Sequence, residues 1–139
     1  ERSLPKALTL RDRTRELSTL IVTGPKSREL FAAISDADLT RPWLSHEMWT
    51  VAGRKAVLAR VSFAGELGWE VHAPVESIPA IYGAVLEAGA KPFGMWALNS
   101  LRLEKAYRTW KGDLSTDYSL LEGGLDRFVK LDMEQDFPG

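Results

Sequence analysis

The chain has 139 residues, 45% of them hydrophobic and 27% charged, the size and composition of one ordinary globular domain able to bury a core without staples. Eighteen Lys and Arg against nineteen Asp and Glu leave a formal charge of -1, which argues against a surface made for nucleic acid or an anionic membrane. Zero cysteines and two histidines, His46 and His72, exclude disulfides, thiol catalysis and Cys/His zinc sites, and no apolar run reaches the length of a membrane span.

From Glu1 to Glu16 the chain is polar and Arg-rich, an irregular lead-in with scattered Leu4, Leu8 and Leu10. Leu17–Thr23, β-branched and apolar, predicts a strand. Pro25 suits the first turn of a helix over 25–34, where Leu30, Phe31 and Ile34 fall at helical spacing. Met48–Val51 and Lys55–Phe63 read as two strands joined by an Ala52-Gly53 hairpin. In the second, alternation assigns Val57, Ala59, Val61 and Phe63 to one face and Arg60 and Ser62 to the other. Gly65-Glu66-Leu67-Gly68 is a turn and Trp69–His72 a short strand. Ser77 is placed to cap a helix striped by Ile78, Ile81, Tyr82, Val85 and Leu86, with Gly89 as its stop. Lys91–Met95 is extended, Asn99–Ala106 a helix with Leu98, Leu101 and Leu103 as its apolar residues, and Tyr107–Tyr118 a polar loop. Leu120–Leu131 follows, with a closing strand at Arg127–Leu131. This order predicts an α+β domain over 1–139, an antiparallel or mixed sheet with helices on one face. A chain that opens on Glu1 without an initiator Met and stops at Asp136-Phe137-Pro138-Gly139 is expected to be a piece of a longer polypeptide.

The most unusual stretch is Phe63-Ala-Gly-Glu-Leu-Gly-Trp-Glu70. Gly65 and Gly68 bracket a tight turn, and the carboxylates Glu66 and Glu70 stand beside the aromatics Phe63 and Trp69. A carboxylate against an aromatic wall suits a flat heterocycle with adjacent N–H donors, which stacks while the carboxylate accepts two hydrogen bonds. The plainer reading is a hairpin whose glutamates face water. A second stretch runs Leu98-Asn-Ser-Leu-Arg-Leu-Glu104 and then Trp110-Lys-Gly-Asp113. Arg102 and Glu104 read as a structural pair or solvated charges, whereas Trp110 sits in a polar loop of the kind that carries binding residues. His72, flanked by Val71 and Ala73, has no neighbouring base or nucleophile and is expected to play no catalytic part. No phosphate loop, dinucleotide fingerprint, nucleophile elbow or metal spacing is present; Gly24-Pro25-Lys26-Ser27 lacks the spacing and contains proline.

Taken together these stretches resemble the folate-binding aminomethyltransferase domain of the glycine-cleavage T-protein. The family's wording is Tyr-Thr-Gly-Glu-x-Gly-x-Glu, then Arg-Asp-Ser-Leu-Arg-Leu-Glu, then Tyr-Gly-x-Asp; the counterparts are 63–70, 98–104 and 110–113. Glu122-Gly-Gly-Leu125, Asp136–Gly139 and the opening Leu20–Arg28 also match, so the resemblance covers nearly the whole chain. The wording Ala97–Trp110 and Phe128-Val-Lys-Leu131 is most similar to the folate domain of dimethylglycine and sarcosine dehydrogenases. There a flavin domain oxidises an N-methyl amine, and the folate domain captures the released carbon.

The resemblance implies the C-terminal part of the T-protein folate-binding fold, with the N-terminal half, the flavin domain and the C-terminal barrel domain outside this chain. It implies tetrahydrofolate as cofactor, FAD in the missing N-terminal domain, and 5,10-methylenetetrahydrofolate as product. The expected partners are folate, a small one-carbon donor derived from an N-methyl amine, and the rest of the same polypeptide, with no nucleic acid and no membrane. The expected compartment is the cytoplasm, or the mitochondrial matrix in a eukaryote. Carried over, Glu70 holds the pterin through paired hydrogen bonds, Phe63 stands at a Tyr without its hydroxyl, and Trp110 stands at a Tyr lining the cleft, with Gly65, Glu66 and Trp69 around them. Leu98 replaces an Arg, Asn99 an Asp and Lys111 a Gly. No catalytic residue is expected here, since the family's catalytic Asp lies upstream, and the chain by itself is expected to be inactive. The alternatives are the glycine-cleavage aminomethyltransferase and a non-catalytic folate-binding protein of the same fold, whose Cys-containing signature this chain lacks.

Overall fold

The computed structural model of the chain describes residues 8–130 and Asp132. In chain order the elements are β1 (Leu17–Thr23), α1 (Ser27–Ile34), β2 (His46–Val51), β3 (Arg54–Ala59), β4 (Gly68–Pro74), α2 (Ile78–Glu87) and α3 (Met95–Glu104). The four strands form one sheet in the order β1-β4-β3-β2, with every described pairing antiparallel. The chain is thus α+β. The register sets Leu20 against Val71, Val22 against Trp69, and Leu58 against Val71. These side chains share one face and bury themselves with Phe31 of α1 and Ile81 and Val85 of α2. Phe31 meets Trp69 edge-on with ring centroids 5.5 Å apart, and the Arg28 guanidinium lies 5.7 Å above the same indole.

Two local signals shape what they are expected to shape. The Ala52-Gly53 loop takes φ of 48° and 71°, the paired positive values of a two-residue hairpin whose twist matches its strands. Gly89, at φ 99°, ends α2. Its N–H bonds to Leu86 O at 2.9 Å, and that of Ala90 bonds to Val85 O at 3.2 Å, the double closure of a left-handed helix stop. Ser77 does not cap α2 through its side chain; it belongs to a 3-10 turn, Val75–Ser77, that leads into the helix.

Three expectations are corrected. The first concerns β3, which stops at Ala59 and buries Ala56 and Leu58, leaving Val57 and Ala59 on the opposite face. Beyond Ala59 the Arg60 N–H bonds to Ser45 O at 2.8 Å, and the turn that follows carries Ser62 to within 3.2 Å of the Thr23 hydroxyl. Second, α3 starts at Met95, and its inner side carries Leu98 and Arg102, while Leu103 is exposed. Third, Arg127–Lys130 is not a strand: Asp126–Phe128 forms a 3-10 turn, and no sheet edge is paired with it. Leu131, like the matches at Asp136–Gly139, lies outside the described residues. Among those that are described, no helix is long and apolar enough to cross a membrane.

Phe31 has no exposed surface and Trp96 is 90% exposed, so truncation separates them. Phe31→Ala is expected to cost about 3–5 kcal/mol in urea denaturation, and Trp96→Ala to stay within about 0.5 kcal/mol of the parent.

Candidate functional site

Strand β4 lies between β1 and β3, so its two faces do different work. Trp69, Val71 and Ala73 point into the core, and Glu70 and His72 point to the open face of the sheet. Across the register Glu70 stands between Ile21 on β1 and Ala59 on β3, and His72 between Thr19 and Val57. His46 and Met48 continue the two rows on β2. A carboxylate is therefore set in a floor of small and apolar side chains, flanked on one side by the small Ala59.

Trp69, expected beside the ligand, is instead 3% exposed and packed on Phe31. Strand alternation forbids neighbours 69 and 70 from sharing a face. Glu70, by contrast, keeps 29% of its side chain exposed, and its Oε2 lies 3.1 Å from Nε2 of His72. The other ring nitrogen, Nδ1, lies 2.9 Å from the Thr19 hydroxyl. His72 was unpromising from its sequence neighbours, yet the spacing Glu70-x-His72 on a strand is the signal that both project from one side.

The turn before β4 holds the other expected residues. Gly65 has φ 74°, a left-handed conformation that favours glycine, and a Cβ there would press on the Lys105 side chain. Glu66 is exposed at the tip of the turn. Phe63 stacks on Tyr107 with centroids 6.2 Å apart and planes at 22°, joining this turn to the segment after α3. Trp110 is 61% exposed on a loop closed by the bonds of Asp113 N–H and Leu114 N–H to Thr109 O, at 2.9 and 3.1 Å. The structure thus brings Glu70 together with His72, and Phe63 with Tyr107, and leaves Trp110 on its own loop.

Arg102 does not pair with Glu104. Only 5% exposed, its guanidinium donates from Nε to Asn99 Oδ1 at 2.8 Å and from Nη1 to Tyr107 O at 2.9 Å, and pairs with the Asp113 carboxylate. One cation therefore gathers α3, the segment at Tyr107 and the Trp110 loop, and its donors are satisfied as a buried charge requires. Asp113 also accepts the Thr109 backbone N–H at 2.8 Å. That bond foremost, with Arg102 beside it, holds the carboxyl below the ordinary value of 3.8 against the opposing pull of burial. Lys111 takes φ 65°, the left-handed conformation that glycine adopts without cost.

Two hollows lie away from Glu70. One, of about 440 Å³, runs between the 37–47 segment and Trp49, Leu58 and Arg60; the other, of about 850 Å³, follows β1 beside Tyr82, Leu86 and Phe93. The carboxylate stands on an open face of the sheet and belongs to neither. Among the described residues no group of three or more His, Asp and Glu side chains is arranged to hold a metal ion.

The Asp113 shift fixes a pH dependence. A carboxyl lowered on folding adds stability that is present above its unfolded value and lost as pH falls through the folded one. Asp12, Glu16, Asp36, Asp38 and Glu122 are lowered as well. Thermal melts between pH 7 and pH 2 are expected to show an acid-labile chain. Asp113→Asn should lower Tm at pH 7, and the gap to the parent should close as the parent's own Asp113 becomes protonated.

Comparison with known proteins gives one consistent answer. The profile of the GCVT N-terminal domain family matches residues 1–133. Mitochondrial sarcosine dehydrogenase of Mus musculus is 40% identical over 137 residues, covering 94% of this chain and 15% of that protein. Mitochondrial dimethylglycine dehydrogenase of Homo sapiens is 38% identical over 133 residues, covering 91% of this chain and 15% of that protein. An aminomethyltransferase of Synechococcus elongatus is 34% identical over 137 residues, covering 98% of this chain and 37% of that protein. The chain thus spans about 15% of the length of the dehydrogenases it matches. With motifs in register along nearly its whole length, the chain belongs to the GCVT N-terminal domain family, the folate-binding T-protein family that its sequence resembles.

Proposed function

We propose that this chain is the C-terminal part of a tetrahydrofolate-dependent aminomethyltransferase domain, and that it supplies the pterin-recognising face. In the complete enzyme the domain captures the one-carbon unit released by oxidation of an N-methyl amine of the dimethylglycine or sarcosine type, as 5,10-methylenetetrahydrofolate. The observation that carries the reading is Glu70: a partly exposed carboxylate on the open sheet face, at the position of the family's final Glu, bordered by Ile21 and Ala59. A flat heterocycle lying over Ala59 and Ile21 meets an apolar floor and presents its N–H edge to an acceptor, which is what a pterin requires. Bound tetrahydrofolate supplies the nitrogens that take up the carbon.

The remaining assignments follow from placement. Gly65 and Glu66 form the turn leading into β4, and Phe63 with Tyr107 anchors that turn to the segment after α3. Trp110 presents its indole from the adjoining loop as a second aromatic for the folate. Trp69 supports Glu70 from the core side as packing. The opposing wall of the cleft, the catalytic Asp and the FAD of the amine-oxidising step belong to the rest of the polypeptide. The greater identity to the two dehydrogenases than to the aminomethyltransferase favours an amine-derived carbon over glycine cleavage, and matrix targeting in a eukaryote accords with the mitochondrial relatives.

Titration with folinic acid, read by tryptophan fluorescence, tests the assignment. Saturable quenching is expected in the full chain. Loss of a charge-assisted acceptor in Glu70→Ala should weaken binding by about 1.5–3 kcal/mol. Equal affinity in parent and variant would remove Glu70 from the site. Incubated alone with tetrahydrofolate and an imine equivalent of formaldehyde, the chain is expected to give no rate above background.

A further inference from the structure

We infer that His72, itself held by Thr19, is the positioning residue of Glu70. Its imidazole pre-sets the carboxylate for a ligand presenting paired N–H donors. The inference rests on the assignment of Glu70 to the pterin. Thr19 and His72 are direct partners in the β1–β4 register, and Glu70 and His72 are separated by one residue of β4, so the sheet places all three side chains on its open face. The contacts run in sequence: Thr19 Oγ1 to His72 Nδ1 at 2.9 Å, then His72 Nε2 to Glu70 Oε2 at 3.1 Å.

The chemistry of the three groups fixes the order of the protons. An ionised carboxylate only accepts, so a lone pair on Nε2 would face lone pairs on Oε2; the neutral ring therefore carries its proton on Nε2. That leaves Nδ1 as an acceptor, and of the two groups touching the ring it is the threonine hydroxyl that donates into it. The donors thus run from Thr19 to His72, and the last of them is received by Glu70 Oε2.

The consequence lies in binding more than in stability. Exposed by 29% and 38%, Glu70 and His72 form a pair of the kind that adds little to folding. A glutamate already restrained in one orientation, however, loses less side-chain freedom when it clamps two N–H groups. Positioning and structural roles thus predict different things for the same substitutions.

The test uses the full chain with folinic acid as probe, and reads affinity, Tm and the ring nitrogens. His72→Leu and Thr19→Val are each expected to weaken binding about three- to tenfold with Tm unchanged. His72→Gln, which keeps an N–H donor, should remain within about twofold of the parent. In a Glu70→Gln background His72→Leu should have no further effect, since the group it positions is gone. If Glu70→Gln weakens binding while His72→Leu and Thr19→Val do not, the relay is wrong and the pterin assignment stands. If Glu70→Gln leaves binding unchanged, the pterin assignment falls first. The relay is then decided without ligand by nitrogen-detected NMR of His72 at pH 8. A proton on Nε2, with an Nδ1 signal that moves in Thr19→Val, supports it, and a proton on Nδ1 overturns it.

Discussion

Everything in this structure turns on the pleat of β4. Because it is paired on both sides, its backbone is fixed in register by two ladders, and its side chains have only two directions available. Trp69, Val71 and Ala73 take the core and Glu70 and His72 the open face. A slip of one residue would bury a carboxylate and an imidazole and expel an indole, a change that no part of the core could absorb. The same hydrophobic burial that stabilises the domain therefore aims the Glu70 carboxylate out of the open face. Phe31 packed against Trp69 is, in this sense, support for Glu70 from behind the sheet.

A second constraint holds the opposite end of the chain to this strand. The described residues after α3 form little regular structure, and with Trp96, Leu103, Trp110, Leu121 and Phe128 all exposed this part of the chain builds little core of its own. Arg102 substitutes for one. It draws Asn99, the Tyr107 carbonyl and Asp113 to a single buried guanidinium. The Phe63–Tyr107 stack and the close seat of Gly65 on Lys105 then fasten that assembly to the turn entering β4. Three separate motifs of the sequence are joined by one cation, one aromatic pair and one glycine. The planar fork of an arginine suits this position better than a lysine, because its donors reach several acceptors at fixed angles.

What the sequence made legible, and what it hid, follows from the range of the forces involved. The Ala52-Gly53 hairpin and the Gly89 helix stop were readable because a turn is decided by the φ its own residues tolerate. The face of β3 was not, since Ala56-Val-Leu-Ala59 is apolar throughout. Only pairing with Val71 selects Leu58 for the core. Val129 and Lys130 read as strand from composition, but a strand needs a partner, and none is supplied to them among the described residues. On the open face, Glu70 is marked by its motif, whereas the residues beside His72 give no sign of its companion, which stands two positions away. Trp69 faces the core for the related reason that sequence adjacency to Glu70 means opposition on a strand.

The open face also shows what a carboxylate there lacks. Leu17, Ile21 and Met48 are exposed on it, and together with Val57 they form an apolar surface around the Glu70–His72 pair. Against water, an acceptor gains only a modest net return from each N–H it binds, because the ligand surrenders an equivalent bond to solvent. Excluding that water strengthens the same contacts and lets the apolar floor contribute by burial. In the proposed role, recognition is therefore a property of the face and its cover together. On the proposed assignment the chain contributes the acceptor, its orientation and the floor. How tightly they grip depends on the surface that closes over them.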